Sequence, residues 1–127
     1  MKGDWKKYVG VFLPMAVVIA APMILRDDET VGADQADLRL EVITPHNEAI
    51  RREFGDAFSK WHEEKSGKSV YINWRTPGGT SEIKRVLDGA FAAAQKNGKE
   101  GIGLDLFFGG GVYDFNGQAK EGRFQKL

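Results

Sequence analysis

The sequence predicts an α/β domain built on a parallel sheet, and three observations carry that prediction. After residue 37, apolar residues recur at every second position, then at every third or fourth, and the two rhythms alternate along the chain. Each change of rhythm falls on a stretch rich in Pro, Gly or Asn. The strands so marked are separated by helices rather than tight turns, an order that calls for parallel pairing with right-handed crossovers.

The segment before this domain has a different character. Tyr8 to Leu25 is an uncharged, largely apolar run of 18 residues. As a helix it measures about 27 Å, close to the hydrocarbon thickness of a bilayer. Lys2, Lys6 and Lys7 precede it and Asp27, Asp28 and Glu29 follow, so the N-terminus is expected inside and everything after Leu25 outside. Trp5 and Tyr8 stand where interfacial aromatics belong. Residues 1–25 therefore read as a signal anchor or a cleaved signal peptide. The apolar Met23-Ile24-Leu25 after Ala20-Ala21 makes a poor cleavage site and favours the anchor. Residues 26–37 are polar, acidic and aperiodic, as a linker is.

Within the domain, Leu38, Leu40 and Val42 alternate with Arg39 and Glu41, which predicts a strand. Thr44-Pro45-His46-Asn47 stops it. Ile50, Phe54, Ala57, Phe58 and Trp61 then share one face of a helix over about residues 46–65, ending at Gly67. Residues 69–75 read as a second strand, with Val70, Ile72 and Trp74 on one side. Thr76-Pro77-Gly78-Gly79 turns the chain, and Ile83, Val86, Leu87, Ala90, Phe91 and Ala94 mark a second amphipathic helix with Thr80 as its N-cap. Residues 103–108 form a nearly continuous apolar run, expected as a strand buried on both faces. Gly109-Gly110-Gly111 leads into a short third helix near 113–120, closed by Gly122.

Composition removes several functions. Lys plus Arg and Asp plus Glu both number 18, so there is no basic excess for nucleic acid. The chain has no cysteine and two histidines, which excludes thiol chemistry and a multi-histidine metal cage. Gly78-Gly79-Thr80-Ser81 lacks the lysine of a P-loop. Gly101-Ile102-Gly103 is no dinucleotide fingerprint, and His62-Glu63-Glu64 has no second histidine for a zincin. A Ser81–His46 dyad has no evident orienting acid. No cofactor is expected.

In a parallel sheet, ligands bind outside the carboxyl ends of the strands. Three loops leave those ends: Thr44, Pro45, His46 and Asn47; Gly78, Gly79, Thr80 and Ser81; and Gly109, Gly110 and Gly111. Each feeds a helix N-terminus, whose free N–H groups favour anions. Plainer roles also fit: Pro45 and Asn47 suit a helix start, Thr80 a cap, the three glycines a positive-φ turn. His62 reads as surface or satisfied core.

Taken in order, VITPHNEAIRREFGDAFSKWHEEKSGKSVYINWRTPGGTSEIKRVL and LDLFFGGGVYDF resemble the extracellular solute-binding proteins of ABC importers, in their ferric-iron and small-solute branch. That family opens on a strand, a Ser/Thr-Pro-His-Asn-Glu-type turn and an amphipathic helix. A Gly-Gly-Thr/Ser-x-Glu turn follows, then an Asp-containing strand ending in a glycine run. The resemblance covers about residues 38–127. It implies the first lobe of a type 2 periplasmic-binding-protein fold, in which two α/β lobes close on a ligand at a hinge. By the same resemblance the three loops contact a small solute or ferric ion, His46 stands where some ferric-binding members place a metal-ligating histidine, and the partner is an ABC permease. The expected location is the periplasmic side of the cytoplasmic membrane. The sequence stops at Leu127 ahead of a second lobe and its usual tyrosine ligands, so the N-terminal part of a longer protein is expected, and Tyr113 is not one of those tyrosines. A membrane-anchored hydrolase or transferase of α/β type is the alternative, and an anchored half-lobe scaffold the third reading.

Overall fold

The structure, a computed structural model, describes residues 5–24 and 31–126. Helix α1 spans Trp5–Ile24, with side chains described at Gly10 and over 12–21. Among the described residues, no helix is long and apolar enough to cross a membrane. The span expected at Tyr8–Leu25 runs past them: Leu25 lies outside, as do the side chains at Tyr8, Val9, Val11 and 22–24. Residues 26–30 of the expected linker also lie outside. Its remainder forms a turn in which Gln35 N donates to Gly32 O at 2.9 Å.

From Leu38 on, the elements follow the order read from the periodicity: β1 (Leu38–Ile43), α2 (Glu48–Ser66), β2 (Val70–Arg75), α3 (Thr80–Lys96), β3 (Leu106–Phe107) and α4 (Val112–Lys120). The sheet is parallel, in the order β2-β1-β3. The chain thus steps one way from β1 to β2 and back past β1 to β3. With right-handed crossovers, that reversal puts the two connecting helices on opposite faces. Side-chain alternation agrees. Val42 shares its face with Ile72, Trp74 and Leu106 under α2, whereas Ile43 faces Ile83 and Leu87 of α3.

Helix α2 starts where Asn47 Oδ1 accepts the Ile50 N–H at 3.0 Å and stops where Gly67 adopts φ +68°. Helix α3 departs from expectation at its start. The N-cap is Gly79, Thr80 is already helical, and no side chain caps the end.

The third strand differs most from its expected form. Only Leu106 and Phe107 pair as a strand, and they pair at an edge; Leu106 is 47% exposed. The reason lies beside it. Asp105 N donates to Glu41 O at 2.9 Å while the Asp105 carboxylate accepts Glu41 N at 2.8 Å. A side chain thereby takes the place a backbone carbonyl would hold in the ladder. Gly103, at φ +68°, has already turned the chain out of extended geometry. An apolar run therefore became an edge strand, not a central one; β1 is central.

Candidate functional site

A strand order that reverses at its first strand places the loops leaving β1 and β3 side by side, at the kind of position where open α/β sheets hold ligands. Both loops meet there. A Cβ on Gly109 would lie 2.5 Å from His46 Nε2, and Gly109 sits at φ +94°. Only glycine lets the backbone lie this close to the imidazole in this conformation. Phe108, one residue earlier, stacks tilted against His46 at 5.0 Å and against Phe54 at 5.2 Å. Trp74 stands 6.2 Å from the same ring. His46 thus rests on an aromatic floor formed by the strand ends and α2.

The other expected residues divide by what they already do. Thr44 is fully buried; its hydroxyl accepts the His46 N–H at 3.2 Å, and its own N–H donates to Arg75 O at 3.0 Å. It shapes the loop and offers a ligand nothing. Pro45 is half-buried. Asn47 is exposed, with its carbonyl oxygen committed to the cap. Gly78, Gly79 and Ser81 are exposed and Thr80 is half-buried. The Glu82 side chain covers both glycines: a Cβ would meet it at 3.0 Å from Gly78 and 3.2 Å from Gly79. Gly110 and Gly111 are exposed, and Asp114 Oδ2 accepts the Gly111 N–H at 2.9 Å.

The electrostatics therefore differ from those expected. Each helix start on the rim carries its own carboxylate in the first turn: Glu48, Glu82 and Asp114. These acids offset the positive helix ends that would otherwise welcome an anion. No lysine or arginine occurs in residues 44–48, 76–82 or 109–114. The rim suits a neutral or cationic solute better than a phosphorylated one. Tyr113, 87% exposed on the first turn of α4, adds an aromatic surface of the kind that cations favour.

Sequence reasoning missed Glu82 and Asp114. The signal was present, because each stands three residues after its N-cap glycine, the spacing at which a carboxylate reaches back to the helix start. It also missed Phe108 as the floor, having assigned that residue to a buried strand. His62 lies off the rim. Its Nδ1 is 3.0 Å from Lys68 O and 3.1 Å from Ser66 Oγ at the end of α2, a structural role. No hydrogen bond joins Ser81 to His46 among the described residues. Among these residues, no group of three or more His, Cys, Asp or Glu side chains is placed to hold a metal ion.

Shifted ionisations occur elsewhere. The Arg39 guanidinium holds the Glu41 carboxyl below its usual range, with help from Arg75 and Asn73. The Ser69 N–H and hydroxyl do so for Asp37, and the Lys84 ammonium and Arg123 for Asp88. All three carboxylates stand away from the rim and stabilise the scaffold. No protein-family model, characterised protein or solved structure matches this chain.

Proposed function

We propose that the rim between β1 and β3 captures a small neutral or cationic organic solute, and that the chain serves as one lobe of a solute-binding protein for an ABC importer. The observation that carries this reading is the meeting of the β1 and β3 loops at the sheet's reversal, where glycine backbone lies against His46 above Phe108 and the surrounding helix starts bear Glu48, Glu82 and Asp114. A ferric ion is the weaker choice of cargo, because among the described residues no group of three or more His, Cys, Asp or Glu side chains is placed to hold a metal. The uncharged run Tyr8–Leu25 and its flanking charges support display of the lobe outside the cytoplasmic membrane. A second lobe closing over the rim would exclude water, so the single lobe is expected to bind weakly.

Nuclear magnetic resonance titration of the chain tests the reading. Spermidine should shift the amide signals of His46, Gly109–Gly111 and Asp114 saturably, and a sugar phosphate should not. Asp114→Asn should weaken the response. His46→Ala should cost about one hydrogen bond, roughly 0.5–1.5 kcal/mol. Shifts from the sugar phosphate, or shifts confined to other surfaces, would end the proposal. The topology is checked separately: an alkaline phosphatase fused after Leu127 should be active.

A further inference from the structure

We infer that the crevice between α2 and the outer edge of β2 is a second binding site, separate from the rim, and that it takes a small monocarboxylic acid with an apolar body. The crevice has a volume of about 340 Å³, at the lower end of the range for small-molecule sites. Ile72 and Trp74 form its floor. Gly55 lies above them, with no side chain to fill the space; a Cβ there would touch Trp74 at 3.4 Å and Ile72 at 3.7 Å.

Among the polar residues that line this crevice, Arg51 carries the donor without a partner. Its Nε is buried and has no hydrogen-bond acceptor among the described residues. Buried donors are nearly always paired, and a guanidinium donor most strongly favours an anionic oxygen. A carboxylate fits that need, and a hydrocarbon or aromatic body fits the Ile72–Trp74 floor. Charge selects further. Glu48 and Asp56 also line the crevice, so a dianion such as phosphate meets two carboxylates there, whereas a monoanion can be balanced by Arg51 and Arg52. The site uses none of the rim's glycine loops, although Glu48 and Trp74 border both.

The test uses the 127-residue chain labelled with ¹⁵N and follows the side-chain Nε–H resonance of Arg51. Benzoate should move that resonance saturably, while benzamide, which has nearly the same shape without the charge, should not. Arg51→Met keeps the apolar stem and should weaken benzoate binding by about tenfold or more, the loss of a charge-assisted pair. Arg52→Met should change it by less than about threefold, as suits an exposed charge. Equal binding of benzamide, an unmoved Arg51 resonance, or unchanged affinity in Arg51→Met overturns the inference. Should Arg51→Met fail to fold, the benzoate and benzamide titrations of the unaltered chain still decide. Shifts at His46 and Gly109–Gly111 report the rim independently, so failure of one reading leaves the other standing.

Discussion

The two faces of the sheet differ in how fully their apolar side chains are buried. On the α3 face, Ile43, Ile83 and Leu87 are buried together, with Phe91, Ile102, Leu104 and Phe107 packed around them. The segment after α4 packs over that core and leaves a crevice of about 330 Å³ bordered by Leu87, Phe91, Leu104, Arg123 and Phe124. Arg123 lies 4.9 Å over the Phe91 ring, pairs with Asp88 at 2.6 Å and with Glu121, and donates to Gln118 at 2.8 Å. On the α2 face, Val42 and Val70 are buried, but Phe54 is 56% exposed and Trp61 53%. A crevice of about 180 Å³ remains between Phe54, Phe58 and Leu106, lined by apolar residues throughout. The face that carries the aromatic floor under His46 thus has fewer fully buried apolar side chains. The difference teaches that a single crossover helix cannot cover three strands. The α3 face buries more because the chain after β3 adds α4 and its tail to it, and no element among the described residues does the same for the far side of α2.

The largest expected effect comes from the better-buried face. Ile83 is fully buried, and Ile83→Ala should cost about 2–5 kcal/mol in chemical denaturation. Next comes the meeting point of the loops. Gly109→Val places a branched side chain at φ +94° and into the His46 ring, which should cost about 1–3 kcal/mol and move the His46 imidazole resonances. Asn47→Ala removes the cap of α2 and should cost about 1 kcal/mol by the same measurement. Smallest is Phe54→Ala on the open face. Because more than half of Phe54 is exposed, the loss should be about 1 kcal/mol or less, with improved solubility. A Phe54→Ala cost equal to that of Ile83→Ala would break the comparison, since the α2 face would then be covered in solution. A cost that grows with protein concentration would sharpen it, identifying the cover as another copy of the chain.

Much of this was legible in the sequence, and the line between legible and hidden runs along sequence separation. Periodicity located β1, α2, β2 and α3, because a helix or strand face is decided by residues two to four positions apart, and flanking glycines marked α4. Asn47 and Gly67 announced the ends of α2 for the same reason, and the alternation of strand and helix required parallel pairing. Composition alone removed thiol chemistry and a multi-histidine cage. Tertiary contact decided the rest. The short edge strand β3 depends on Asp105 meeting Glu41, 64 residues earlier. The place of β1 at the centre, the approach of Gly109 to His46 and the burial of Arg51 against the β2 edge likewise join residues far apart in the chain. Local preferences act within a few residues and carry no information about such meetings. The rim's charge falls between the two: Glu82 and Asp114 stood at a readable spacing, but only the folded helix starts brought their carboxylates over the glycines.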